Sequence, residues 1–186
     1  MPQYPRLETD RLNLRNFSMD DCDDVTRMVD DPQIAANTIE IPHPYEYHMA
    51  ADWIKSHRKN FNAGQGVVFA ITCREAGNLI GAIGLTINSV DNKAEMGYWI
   101  GREYWNKGYA TEAGKAVVAY GFDKLGLHRI FGKHLRRNLA SGKVMQKVGM
   151  LYEGRLREDV KKNGELADLE LYGMLKADYY ENNNNS

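Results

Sequence analysis

Apolar positions along the chain change period several times, and each change marks an element. "RLNLRNF" alternates apolar and polar residues, which predicts a first strand. "SMDDCDDVTRMVDD" opens with Ser18 and places Asp21 three residues later, a capping-box pattern, and Cys22, Val25 and Val29 follow at helical spacing. "PYEYHMAADWIKSHRKNF" sets Ala50, Trp53, Ile54, His57 and Phe61 on one helical face. "VVFAITC" and "NLIGAIGLTI" read as strands joined through "REAG", and "KAEMGYWIG" reads as a third. In that third strand Ala94, Met96, Tyr98 and Ile100 share one face, and Glu95, Gly97 and Trp99 share the other.

The second half continues with a helix through about Lys124, carrying Ala113, Ala116, Val117 and Tyr120 at helical spacing, and Gly126 stops it. "RIFGKHL" predicts a strand and "NLASGKVMQKVGM" a short helix. "LYEGRLRE" and "LADLELYGML" flank Asn163-Gly164, a strong hairpin signal. The order predicts a mixed α/β chain, α+β in character, with an antiparallel first half and no regular βαβ alternation. One domain is expected over residues 1–180, with "ENNNNS" at 181–186 as a frayed tail.

Composition narrows the class. At 186 residues, 43% hydrophobic and 26% charged, the chain is long enough for one buried core and too apolar for wholesale disorder. A net charge of −1 gives no overall field toward nucleic acid or an anionic membrane. Neither an apolar run of membrane length nor an N-terminal signal segment is present, so a cytoplasmic protein is expected. Cys22 and Cys73 fit no metal-ligand spacing and read as core thiols; no metal is expected. His57 reads as a satisfied core residue. His43 and His48 are open between a proton relay and a surface role.

One loop asks for more than a turn. In "YWNKGYATEA" Gly108 and Ala110 lie just before a helix. The first turn of a helix presents unpaired N–H groups and partial positive charge, and small residues there let a phosphate approach the backbone. The pattern is neither a Walker A loop nor a dinucleotide fingerprint. Lys107 and Arg102 stand near enough in sequence to add charge.

"AEMGYWIGREYWNKGYATEA" followed by "RIFGKHLRRNLASGKVMQKVGM" resembles the GNAT superfamily of acetyl-CoA-dependent N-acetyltransferases. With the opening "LETDRLNLRNFSMDD" and the central "GNLIGAIGL", the chain is most similar to the RimJ/RimL-like branch, which acetylates the N-termini of ribosomal proteins. The resemblance spans roughly Leu7 to Leu175. It implies a twisted, mostly antiparallel sheet of about seven strands, splayed at the middle, with about four helices. It also implies a pyrophosphate cradle built from the amides of Lys107, Gly108, Tyr109, Ala110 and Thr111. Trp105 stands where the family usually has Gln or Arg. The amide of Trp99 or Ile100 would hold the thioester carbonyl, where a donor stabilises an oxyanion.

For the chemistry, the resemblance offers Glu95 as general base. Burial in an interior strand would raise its pKa into a working range, and an exposed or salt-bridged carboxylate is the alternative. The family's usual acid, a tyrosine seven residues after the motif asparagine, is replaced by Met145. Ser141 is the branch's substitute for it, unless that hydroxyl only bonds local backbone. Asn138 either holds pantetheine amides or caps the helix. The implied acceptor is a protein N-terminal α-amine, with Asp20 to Asp24, Glu40 and Glu46 available to attract a basic one. A small amine, or a non-catalytic CoA-binding module, remains an alternative. Monomer and homodimer are both open.

Overall fold

The computed structural model describes residues 3–184. Its centre is one eight-stranded sheet in the order β1-β2-β3-β4-β5-β6-β8-β7. The strands are β1 Leu7–Glu8, β2 Leu12–Arg15, β3 Gly66–Cys73, β4 Leu79–Asn88, β5 Lys93–Ile100, β6 Arg129–Leu135, β7 Leu151–Lys162 and β8 Glu165–Leu175. The helices are α1 Cys22–Val29, α2 Pro32–Asn37, α3 Tyr47–Asn62, α4 Tyr109–Asp123, α5 Leu139–Val148 and α6 Lys176–Asn184. The GNAT sheet implied by the sequence is present, with one short strand, β1, and two helices, α2 and α6, beyond those read there. Helix α6 runs into the segment expected to fray; residues 185–186 lie outside the described residues.

Period-two patterning sends the two faces of the sheet into separate cores. Leu14, Phe69, Ile71, Met96 and Ile130 pack against Ala113, Val117, Phe122 and Met145 of α4 and α5. On the opposite face Ala70, Ala82 and Trp99 pack against Val25, Val29, Ile34, Ala50 and Ile54 of α1–α3. The predicted division of β5 therefore holds: its even-numbered residues face α4 and α5, and Trp99 faces α1–α3. Ser18 donates its backbone N–H to the Asp21 carboxylate at 2.8 Å, and Arg15 clamps the same carboxylate at 2.7 and 2.8 Å. The β7–β8 turn places Asn163 and Gly164 at φ 52° and 89°, the left-handed pair that a two-residue hairpin needs.

The functional geometry comes from one irregularity. Strand β5 stays in antiparallel register with β4 from Lys93 to Ile100. Its parallel pairing with β6 covers only Lys93–Glu95 against Arg129–Phe131. Beyond Glu95 the two strands part, because β6 continues in register with β8 as far as Leu135.

Candidate active site

The parting of β5 and β6 opens a cavity of about 1180 Å³ that reaches both faces of the sheet. Glu95, Trp99, Ile100, Gly108, Tyr109, Ala110, Thr111, Asn138 and Ser141 all line it. Residues read from three separate segments thus converge on one space. Lys107 is not part of the lining. Its carbonyl accepts from Arg11 Nη1 at 3.0 Å, and its ammonium lies 5.6 Å from the Tyr104 ring centroid. Arg102 also lies outside the lining and pairs with Asp31 at 3.7 Å.

At the cradle, Gly108 is the residue before α4 and has φ 80°, a left-handed conformation that only glycine adopts without strain. The chain thereby turns directly into the helix, leaving the first-turn amides open toward the cavity. Glu112 in that first turn is an acid where an anion would sit, and it is neutralised. Thr9 Oγ1 donates to it at 2.6 Å, and Arg11 donates from its backbone N–H at 2.9 Å and from Nε at 2.7 Å. Burial pushes this carboxyl up, but the bonds from Thr9 and Arg11 outweigh burial and hold it below the usual range. Arg11 also lies 4.7 Å from the Tyr109 ring centroid. It is the organiser of the loop, and sequence reading missed it because its partners are about a hundred residues away.

Strand β5 resolves which amides face the opening. The N–H of Gly101 donates to Ile80 O at 2.9 Å, so by alternation the Trp99 amide also points at β4. Tyr98 and Ile100 are left presenting their amides toward the departing β6. Of the two donors considered, Ile100 therefore has the required direction and Trp99 does not. Trp105, at the Gln/Arg position, donates its indole N–H to Ile100 O at 2.7 Å and braces the end of the strand.

Glu95 differs from expectation. It is not a desolvated interior carboxylate: its side chain keeps 36% exposure and Lys133 Nζ lies 3.5 Å away. The reason is local, because β6 leaves at this residue and admits solvent. Asn138 takes the capping alternative. Its Oδ1 accepts the Ser141 N–H at 3.2 Å, while Nδ2 donates to Asn37 O at 2.9 Å and to Ser141 Oγ at 3.1 Å. Since Ser141 Oγ is an acceptor in that bond, its own proton is free to point elsewhere. Tyr98 donates its phenol to Ser141 O at 3.2 Å, and burial pushes its pKa up to about 12. It is a fixed neutral donor that ties β5 to α5 across the opening.

The histidines separate by burial. His43 and His48 are exposed, pair with Asp30 and Glu46 at 3.2 Å each, and do not line the cavity. His57 is a core residue but not a satisfied one: both ring nitrogens are buried without a partner, and burial lowers its pKa to about 4. His134 lines the cavity, 5% exposed, with Nε2 unpartnered. Among the described residues no group of three or more His, Cys, Asp or Glu is arranged for a metal ion, and no helix is long and apolar enough to cross a membrane.

A sheet splayed beside an amide-lined helix start is the architecture of an acyl-CoA-dependent acyltransferase. Residues 11–151 match the family described as the Acetyltransferase (GNAT) domain, and the chain belongs to that family. It is 33% identical over 174 residues to the "Uncharacterized N-acetyltransferase p20" of Bacillus licheniformis, covering 93% of this chain and 97% of the relative. A GNAT-family acetyltransferase structure from Bacillus anthracis superposes with a TM-score of 0.82 at 26% identity, covering 93% of this chain and 99% of the other. RimL, a ribosomal L7/L12 alpha-N-protein acetyltransferase in complex with coenzyme A, shares the fold, with a TM-score of 0.83 at 16% identity, over 92% and 98% of the two chains. The chain is thus an N-acetyltransferase of the GNAT family. Coenzyme A is the ligand of such a neighbour, and the glycine-opened cradle here fits its phosphates.

Proposed function

We propose that this enzyme transfers acetyl from acetyl-CoA directly to the N-terminal α-amine of a protein, with both substrates bound together. The observation that carries the reading is the β5–β6 opening, flanked by the first-turn amides of α4 on one side and Ser141 on the other. The pyrophosphate rests on the amides from Gly108 to Thr111, and the thioester carbonyl accepts from the Ile100 N–H. The amine nitrogen then forms its bond to the carbonyl carbon as the C–S bond breaks. Glu95, paired with Lys133, takes the amine proton through water, and Ser141 Oγ–H donates a hydrogen bond to the departing thiolate, which is protonated from solvent.

The solvent access of Glu95 and its pairing with Lys133 favour the α-amine. An α-amine has a pKa near 7.7–8.0, whereas a lysine amine lies near 10.4. That difference makes the neutral lysine amine roughly 3.4 kcal/mol harder to supply. A half-exposed, ion-paired carboxylate suits the easier task. The similarity to RimL points the same way and suggests a ribosomal-protein acceptor. Thiol release from acetyl-CoA tests the reading. Peptides with free N-termini are expected to turn over, and the same peptides with blocked N-termini and an internal lysine are not. Equal turnover of the blocked peptides would sink it.

A further inference from the structure

We infer that the acceptor end of the cavity takes an amine carried on an uncharged, apolar body, and therefore selects N-termini whose first side chain is aliphatic or aromatic. The inference rests on the acetyltransferase reading of the site and narrows its acceptor. Past Gly97 the cavity continues onto the α1–α3 face, where its walls are Val29, Ile34, Ile41, Tyr45, Trp53 and Trp99. Val29, Ile34 and Trp99 are 1%, 2% and 8% exposed and belong to the second core, so this wall is a rigid extension of packed protein. Trp53 and Trp99 form an aromatic corner, ring centroids 6.4 Å apart at 46°.

The charges around the cavity oppose a polycation. Its lining holds two carboxylates, Glu40 and Glu95, against four cations, Lys133, Arg137, Lys143 and Lys147. One of the two carboxylates, Glu95, is already paired with Lys133. Of the acids that sequence reading offered for a basic partner, Glu40 lines the cavity, whereas Asp21 pairs with Arg15, Asp24 with Arg27, and Glu46 lies beside His48. Those last three do not line the cavity. A second ammonium brought into this cleft would lose its hydration and find Glu40 alone against an excess of lining cations.

The loop forming the outer wall is also held in place. Lys162 Nζ donates to Ile41 O at 2.6 Å and Ile39 O at 3.3 Å, and Arg137 donates to Ala36 O at 2.7 and 3.1 Å. These bonds use only backbone carbonyls, which leaves the side chains of Ile39 and Ile41 to shape the cleft. A wall fixed before binding favours an apolar occupant without a further ordering cost.

Steady-state kinetics at saturating acetyl-CoA test this with amidated tetrapeptides that differ only in the first residue: Phe, Leu, Ala, Asp or Lys. Phenethylamine and spermidine complete the set. The expected kcat/KM for Phe or Leu is at least tenfold above that for Asp, Lys or spermidine. In Ile41→Asp the Phe-to-Lys ratio is expected to fall at least tenfold, chiefly through KM. Spermidine or the Lys peptide equalling the Phe peptide, or an unchanged ratio in the variant, overturns the inference. Turnover of phenethylamine without any peptide would remove the N-terminal reading and leave this one standing. Should nothing turn over, tryptophan emission decides, since Trp53 and Trp99 form the wall. A saturable change with the Phe peptide alone supports the apolar cleft and removes the catalytic reading, and no change with any amine overturns the inference.

Discussion

Gly97 lies in the middle of an eight-stranded sheet, yet it is exposed, and a Cβ built on it meets nothing within 4 Å. It shares the face of Glu95 and Trp99, directly beyond the point where β6 departs. On the proposed function, its missing side chain would leave the passage between the pantetheine slot and the acceptor cleft. Gly97→Val is therefore expected to separate folding from function. The backbone there lies outside the left-handed region, so valine fits without strain. Reduced chain entropy and higher strand propensity together stabilise by about 0.5–1 kcal/mol. For a chain of this size that raises Tm by roughly 2–4 °C at most. In the active site the same three carbons occupy the meeting point of amine and thioester. A displacement of about 1 Å from productive geometry costs on the order of 100-fold, or about 2.7 kcal/mol in the barrier. Thermal melting and acetyl-CoA turnover on one preparation give both quantities. Gly84→Val is the control: its Cβ would fall 2.7 Å from Val67 O, so it should lose stability instead. Turnover of Gly97→Val within threefold of the parent, or a Tm several degrees lower, would refute the passage.

Other variants address the remaining parts. Ser141→Ala is expected to lower kcat roughly 10- to 100-fold, at the low end for a donor serving a thiolate, with KM for acetyl-CoA within about threefold; loss confined to KM would contradict the role. Arg11→Met leaves Glu112 uncompensated beside the phosphates, so KM for acetyl-CoA should rise about tenfold, or ~1.4 kcal/mol; adding Glu112→Gln should restore most of it. Tyr98→Phe removes the bond to Ser141 O and should cost about 1 kcal/mol; because burial holds this phenol near 12, the parent's pH–rate profile should show no limb from it in the neutral range. His57 titrates at about 4 in the folded chain against 6.5 unfolded. The unfolded state therefore binds the proton first as pH falls, and stability is lost between about 6.5 and 4, by roughly 3 kcal/mol in full. In urea titrations His57→Phe should flatten that acid limb, and an unchanged limb would assign it to other groups.

What the sequence reveals of this site follows the range of the interactions involved. The helix start at Gly108, the Asn138 cap and the Asn163-Gly164 turn are set within a few residues, and their composition displays them. Helix α2 had a local signal too: Asp31 accepts the Gln33 N–H at 2.7 Å and Pro32 occupies the first turn, but six residues give too little periodicity to register. Properties set by distant pairing were not legible. The solvation of Glu95 depends on where β6 turns away, and the direction of the Trp99 and Ile100 amides depends on register with β4. Arg11 acts on Glu112, and Lys162 on the loop at Ile39 to Ile41, across about a hundred residues of chain. His57 illustrates the limit differently: helical spacing places it in the core, but whether its nitrogens find partners depends on the neighbours, here Phe17 and Trp53.

The opening between β5 and β6 also has to be kept from closing, since two parallel strands with free amides gain ladder bonds by pairing. Four observed contacts oppose closure. Strand β6 is committed to β8 over seven register positions, Arg129 to Leu135, while β5 is committed to β4 through Ile100. Trp105 satisfies the Ile100 carbonyl, removing one acceptor that β6 would otherwise use. Tyr98 reaches across to α5 rather than inward. Met145 fills the space over Gly132, where a Cβ would come within 2.8 Å of its Cε. Met145 stands at the position of the family's usual tyrosine, and it is 1% exposed. Met145 there wedges the slot, and on the proposed function Ser141, one helical turn earlier and in the cavity lining, is the residue left to serve the sulfur.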